Sequence, residues 1–287
     1  AYKLSYNRPF STRSGGTSHD FFFANEYPLV RFLERNGYDV SYIAGIDTDR
    51  RGGLLTNHET FLSVGHDEYW SGQQRANVEA ARDAGVNLQF LSGNEVYWRT
   101  RYEASKDGTN TPYRTLVTYK ESWAQAKLDP APESTGTWRD PRYTPKSQGG
   151  GKPENSLTGT IFMSNLTDLP VTVKKSQGGL RLWRNTGLSG MTADQTELAP
   201  HTVGYESDED QDNGFRPPGL IRMSETTGFI DNQYMTDFGR TTGDGTTTHA
   251  LTLYRAASGA LVFGAGSVQW TWGLDSEHDN PYHDETA

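Results

Sequence analysis

Four polar residues lie where this chain could carry chemistry: His66, Glu68, Asn94 and Glu206. His66 and Glu68 are two residues apart, so in an extended loop their side chains share one side. That places an imidazole able to move a proton beside a carboxylate able to act as a base or hold a metal. Asn94, in Ser92-Gly93-Asn94-Glu95, offers an amide N–H to a developing oxyanion. Glu206 closes Gly204-Tyr205-Glu206 at the end of a β-patterned run and supplies a second carboxylate. Tyr69, Trp70 and Trp98 flank these motifs as candidate substrate contacts. A structural reading competes, with His66 bonded to a carbonyl and Glu68 capping the next helix.

An acidic run follows Glu206. Asp208, Asp210 and Asp212 have part of the spacing of a calcium loop, but the glycine at Gly214 comes one residue late and no closing glutamate follows. The alternative is a solvated acidic loop. His278 and His283 read as surface residues of a polar tail. The chain has no cysteine and no Gly-x-Ser-x-Gly elbow, which argues against a covalent acyl intermediate. Neither Gly52-Gly53 nor Gly243-Asp244-Gly245 follows a strand and opens a helix, as a phosphate loop must.

The elements that must position these residues alternate between strand and helix. Tyr27, Leu29, Val30, Phe32 and Leu33 mark a helix face stopped by Asn36-Gly37, and Asp39 to Ile43 reads as a strand. Thr60 to Val64 predicts a second strand. Ser71 with Gln74 forms a capping-box pattern for a helix running to about Ala84, which Gly85 closes. Val86 to Leu91 predicts a third strand, parallel to the second through a right-handed crossover. Ligands of such sheets bind beyond the carboxyl ends of the strands, so the loops carrying His66 and Asn94 should face one cleft.

The chain reads as a single domain over 1–287. A long loop insertion is expected at about 106–151, rich in Thr, Pro, Gly and Trp, and a β-rich middle part at about 152–247. Its runs are Gly159 to Met163, Val171 to Val173, Leu180 to Trp183 and His201 to Glu206. From His249 to Trp272 the pattern is two strands about a Ser258-Gly259 turn, then a short helix from about Ser267.

Composition narrows the partners. With 27 basic against 36 acidic residues the net charge is −9, which repels phosphate backbones and acidic membranes, so nucleic acid is excluded as a partner. No apolar run approaches the roughly 20 residues needed to span a bilayer. No signal peptide opens the chain at Ala1, which points to a processed or excised piece. Hydrophobic residues are 33% of the chain and aromatics 12%, so rings must supply much of the buried area.

Several motifs together resemble the C-terminal domain of the N,N-dimethylformamidase large (beta) subunit. They are Ser5-Tyr6-Asn7-Arg8-Pro9-Phe10, Phe32-Leu33-Glu34 with Gly37-Tyr38-Asp39-Val40, Gly65 to Ser71, and Ser92-Gly93-Asn94 with Tyr97-Trp98. Gly204-Tyr205-Glu206 and Gly259 to Ser267 extend the resemblance over nearly the whole chain. It implies an α/β fold with a flavodoxin-like, class I glutamine amidotransferase-like three-layer sheet, lacking the cysteine nucleophile, with a β-rich insertion. It also implies amide hydrolysis at a mononuclear iron, or another divalent metal, held by tyrosines and a glutamate. Carried over by motif, Glu68 would ligate the metal with His66 beside it, Asn94 would orient substrate or oxyanion, and Glu206 would be the general base. A metal can lower the pKa of its water from 15.7 to about 7. The resemblance implies tyrosine ligands preceding the Ser5-to-Phe10 block, in a preceding segment or other domains of the parent protein, with Tyr2, Tyr6, Tyr27 and Tyr69 the tyrosines available within this chain, each read as a packed aromatic. Asp67 stands where proline is usual, which suggests a changed substrate or metal. The composition resembles secreted actinobacterial proteins, giving an extracellular expectation.

The expected function is therefore a metal-dependent hydrolase of an amide or related polar carbonyl substrate. The alternative is a secreted carbohydrate-active or carbohydrate-binding domain without metal, taking a polysaccharide on loop tryptophans such as Trp123 and Trp138.

Overall fold

The computed structural model describes residues 1–8 and 22–278. Pro9 and Phe10 of the first block and His283 of the tail lie outside the described residues. In the first half of the chain the strands are β1 (Lys3–Ser5), β2 (Thr60–Gly65), β3 (Tyr69–Ser71), β4 (Asn87–Ser92), β5 (Trp98–Glu103) and β6 (Thr115–Val117). The helices there are α1 (Tyr27–Arg35), α2 (Gly45–Arg50), α3 (Gly72–Asp83) and α4 (Glu121–Ala124). A π-helical turn, Phe22–Glu26, leads into α1.

The centre is parallel, as the sequence predicts. β2 and β4 pair from Thr60 opposite Asn87 to Gly65 opposite Ser92. Ser71 caps α3, its hydroxyl accepting the Gln74 N–H at 3.0 Å. The alternation of β4 then divides the core. Leu88 and Phe90 pack with Trp70, Val78 and Ala81 on the α3 side, while Leu91 packs with Leu29, Phe32 and Leu33 on the α1 side. Burying such a side chain is worth roughly 1.5–3 kcal/mol, so the two clusters clamp the strands whose ends carry the polar loops.

The second half adds β7 (Ile161–Leu169), β8 (Thr172–Lys174), β9 (Gln195–Glu197), β10 (Val203–Glu209), β11 (Ile221–Arg222), β12 (Thr226–Met235), β13 (Thr242–His249), β14 (Thr252–Arg255) and β15 (Leu261–Gly264). The turn at Ser258-Gly259 joins β14 to β15, and β15 pairs in parallel with β4. The central sheet thus has the order β11-β14-β15-β4-β2, and a second sheet runs β10-β7-β12-β13. A third sheet, β1-β6-β5-β3, stands beside them. The architecture is mixed α/β with several sheets. Parallel pairing in the central sheet joins β2, β4 and β15. No helix among the described residues is long and apolar enough to cross a membrane.

Two local expectations are corrected. Asp39 to Ile43 joins no strand: its one aromatic residue turns to α1, the Tyr42 hydroxyl donating to Glu34, while the preceding Tyr38 stacks its ring on Phe32. Leu180 to Trp183 is a 3-10 turn following Gly178-Gly179, with the Trp183 indole N–H bonded to the Met223 carbonyl. The segment 106–151 contains β6 and α4 and is ordered around a buried carboxylate. Glu121 accepts the N–H groups of Leu128, Asp129 and Thr135 at 2.9, 2.8 and 2.6 Å. That carboxylate does for this loop what a backbone ladder does elsewhere.

Candidate functional site

Two short loops run side by side where the chain passes from the central sheet into the third. Residues 66–68 connect β2 to β3, and residues 93–97 connect β4 to β5. β3 and β5 are again parallel, Tyr69 opposite Trp98. Backbone bonds zip the loops together: Val96 N–H to the Asp67 carbonyl, and Tyr97 and Trp98 N–H to the Glu68 carbonyl at 2.9 and 2.7 Å. Asn94 and Val96 both take positive φ, 56° and 54°. Gly93 must be glycine, because a Cβ there would lie 2.6 Å from the Glu206 carbonyl oxygen. Strand β10 is therefore pressed directly against the second loop.

This packing brings all four sequence-predicted residues together. Asn94 Nδ2 donates to Glu68 Oε2 at 2.9 Å. His66 Nδ1 lies 3.5 Å from Glu206 Oε2, and the Tyr205 hydroxyl lies 3.4 Å from His66 Nε2. Burial, then repulsion from Glu206, pushes the Glu68 carboxyl up to about 7, against the pull of Lys120. Burial and the neighbouring carboxylates likewise raise the phenols of Tyr69 and Tyr205. Glu68 therefore holds its proton far above the usual carboxylate range.

Lys120 is the residue that sequence reasoning missed. It stands at the start of α4 with φ 49°, its ammonium 5.1 Å from the Tyr69 ring centre and 4.7 Å from that of Trp98. Both distances suit cation–π contact. Burial lowers its pKa while Glu68 and Glu206 oppose that shift. Only the length of its loop signalled function. Glu26, in the π-helical turn, was also missed; burial, then Asp67, push it up to about 7, and His66 pulls the other way.

The flanking aromatics separate. Tyr69 and Trp98 frame Lys120. Trp70 alternates to the other side of β3 and is 0% exposed within the α3 cluster, so it is a core residue rather than a substrate contact. Trp138 is only 3% exposed, lying between the guanidiniums of Arg75 and Arg99, and cannot stack on a sugar. Trp123, 60% exposed, can. Asp67 is part-buried and accepts from Ser63. His278 stacks on Trp272 at 4.4 Å instead of lying loose in the tail. A cleft of about 440 Å³ on the third sheet, lined by Asp49, Arg101, Tyr102, Glu103 and Tyr113 among others, includes none of the four predicted residues.

A mononuclear metal centre needs several converging protein donors. Among the described residues no three His, Asp or Glu side chains are grouped to hold an ion, and one oxygen of Glu68 is already engaged by Asn94. The described residues therefore form no metal site built from histidine and carboxylate alone, and Glu68 is the carboxylate that the implied tyrosine-and-glutamate site would use. The calcium spacing fits no better. Asp208 accepts from Asn94 N–H and Thr160, whereas Asp210 is gripped by Arg216 and Arg222. Their carboxylates serve separate networks.

No curated protein matches this chain. Residues 1–284 match the family model described as N,N-dimethylformamidase beta subunit-like, C-terminal. That match takes in nearly the whole length, and with it the loops that carry His66, Glu68, Asn94 and Glu206, so the protein belongs to the N,N-dimethylformamidase beta subunit-like C-terminal family.

Proposed function

We propose that the protein hydrolyses the C–N bond of a small amide, with Glu206 and His66 handling the protons of the attacking water. The observation that carries this reading is the convergence of two carboxylates, an imidazole and a side-chain amide from three separate chain segments. The family's description, which names a dimethylformamidase, supports the choice of an amide.

In this reading Glu206 takes a proton from water as its oxygen attacks the carbonyl carbon. The negative charge that develops on the carbonyl oxygen faces the second Asn94 N–H and the Lys120 ammonium. His66, beside Glu206, passes the proton to the amide nitrogen, and the C–N bond breaks to give an acid and an amine. Glu68, with a carboxyl at about 7, carries either a proton or a cation near neutrality. It is the residue that would hold the family's metal, whose chemistry would be polarisation of the carbonyl; its remaining ligands would lie outside the described residues. An extracellular setting belongs to the same proposal.

The test is direct. Purified protein is incubated with N,N-dimethylformamide and a panel of small formamides and acetamides while amine and acid are quantified. Turnover in the wild type that falls about 10²- to 10⁴-fold in Glu206→Gln is expected. Equal turnover in both proteins, or none with any amide, would overturn the reading. Retention of the protein on polysaccharide, lost in Trp123→Ala, would favour a carbohydrate module instead.

A further inference from the structure

Behind Asn94 lies a second pair of carboxyls that the proposed chemistry does not use. Asp208 and Glu95 are 1% and 0% exposed. Asp208 Oδ1 accepts the backbone N–H of Asn94 at 2.8 Å, and its Oδ2 accepts from the Thr160 hydroxyl at 3.0 Å. Its own N–H donates to the Gly266 carbonyl at 2.9 Å. Glu95 Oε2 accepts from Ser92 at 3.2 Å, and Oε1 lies 3.5 Å from the same Thr160 hydroxyl.

We propose that Asp208 is a positioning residue for the site, its carboxyl holding Asn94 in the left-handed backbone conformation that presents the side-chain amide to Glu68. The inference rests on the amide-hydrolase reading only in assigning Asn94 a role in the reaction. Three observations carry it. A residue other than glycine at φ 56° is sparsely tolerated and persists where its surroundings over-determine it. Asn94 is one of the types that tolerate this conformation best, and the bond from its N–H to Asp208 is what fixes it there. The preceding Gly93 packs against the backbone of β10 with no room for a side chain, so β10 and the loop form one rigid contact.

β10 also joins the two halves of the site. Glu206 reaches His66, and two residues later Asp208 reaches the Asn94 backbone. The strand is irregular there, with its register against β7 shifting on both sides of Ser207. One strand thereby sets the placement of the proposed base relative to the amide that binds Glu68.

The chemistry of the pair argues against simple packing. Two adjacent buried carboxyls are expensive to bury, and an amide or apolar side chain would fill this space more cheaply. The charges facing the pair are Glu154 and Arg139, themselves bound to each other, and His249, kept neutral by burial. Burial accordingly pushes both carboxyls up, Asp208 to about 7 and Glu95 well above its ordinary value. Above about pH 7, where Asp208 is ionised, it is a stronger hydrogen-bond acceptor than an amide, and it is retained behind Asn94 despite that penalty.

The experiment compares wild type with Asp208→Ala and Asp208→Asn, reading amide exchange and chemical shifts by NMR together with kcat and KM for N,N-dimethylformamide. In Asp208→Ala, exchange of the Asn94 amide is expected to accelerate about 100-fold or more while Leu62 and Leu88 in β2 and β4 stay protected. Its kcat should fall about 10- to 100-fold with KM little changed, since about an ångström of misplacement can cost as much as 10². Asp208→Asn, which keeps an acceptor, should restore most of both. Unchanged protection of Asn94 in a folded Asp208→Ala protein overturns the proposal. If that variant does not fold, Asp208→Asn decides alone. At pH 8, where the Asp208 carboxyl is mostly ionised, the Asn94 amide proton should move upfield in Asp208→Asn because a neutral acceptor bonds more weakly, and an unmoved signal overturns the proposal. Should the wild type hydrolyse no amide, exchange and shift still decide the positioning, so the two readings fail separately.

Discussion

Asn94 Nδ2 donates to Glu68 Oε2 across 2.9 Å, joining the loop after β4 to the loop after β2. Twenty-six residues and the whole of α3 separate the two in sequence, yet parallel register brings Gly65 opposite Ser92 and so delivers them together. Removing this bond tests the centre of the site. Asn94→Ala should lower kcat about 10²- to 10³-fold and push the Glu68 carboxyl further above 7, since a donor to its charged form is lost. A kinetic pH profile that keeps both its height and its position would count against any such role.

Lys120 counters the two carboxylates from the opposite wall. Lys120→Met removes the charge that lowers Glu68, so the apparent pKa of that carboxyl should rise, with a fall in kcat/KM of about tenfold or more. Carboxyl-labelled NMR of Glu68 reads the first effect and steady-state kinetics the second. A Glu68 titration unmoved by the substitution would show that the ammonium is not coupled to it.

The metal proposed at Glu68 is tested on protein purified without chelator or metal-affinity resin. Elemental analysis should find near-stoichiometric iron or another transition metal in the wild type and its loss in a folded Glu68→Ala variant. Metal retained by that variant, or absent from both proteins, would remove Glu68 as a ligand.

Stability should depend on pH in an unusual direction. Burial, as the first cause, raises Glu26, Glu68 and Asp208 to about 7 in the folded chain. Between the ordinary carboxyl range and about pH 7 the native state therefore holds protons that the unfolded chain has released. This stability is fully present below the unfolded pKa and is lost as pH rises through the folded pKa. His249, buried and lowered to about 4, acts oppositely and loses its contribution as pH falls below 6.5. These three, joined by Glu95 and Asp67, which burial also raises, outweigh one lowered histidine, so resistance to urea should increase from pH 7 to pH 5, by on the order of 1.4 kcal/mol per pH unit for each net proton. Below about pH 4 the slope should reverse, because Glu103, held near 2 by Lys3 and its other cationic neighbours, contributes stability that is lost as pH falls from the ordinary carboxyl range through that folded value. Urea midpoints that rise steadily from pH 5 to pH 8 would contradict this account.

Trp70 and Tyr69 should part company on substitution. Trp70→Ala opens a cavity beside Val78 and Phe90 and should cost about 3–5 kcal/mol of stability. The milder Trp70→Phe should leave kcat unchanged wherever the variant is folded. Tyr69→Phe should spare stability but alter turnover, because it removes the hydroxyl that hydrogen-bonds Glu68. Denaturation and kinetics on the same samples separate the two effects, and a reversed pattern would return Trp70 to the substrate side.

The legible parts of the sequence were those with local causes. Ser71 with Gln74 marked the start of α3, Ser258-Gly259 marked a hairpin, and the apolar runs of β2 and β4 marked adjacent buried strands. Those strands carried His66, Glu68 and Asn94 to the same place. What could not be read had distant causes. Asp39 to Ile43 alternates like a strand, but Tyr42 within it and Tyr38 just before it find partners on α1. Trp70 looks like part of its polar motif, yet one step of alternation turns it into the core. Lys120 lies in a segment without periodicity, where order comes from Glu121 gathering three backbone N–H groups, and a lone buried carboxylate leaves no pattern in sequence.

The crossing of 66–68 and 93–97 from one sheet to another divides the labour of the site. The carboxylates and Asn94 are anchored to the central sheet and β10, while Tyr69, Trp98 and Lys120 belong to the third sheet and the long segment that follows it. Changes in that segment can reshape the wall a substrate meets without disturbing the hydrogen bond between Glu68 and Asn94. Related chains thus have a route to new substrates in which the protein's most variable kind of structure is altered and its proton-handling groups are inherited intact.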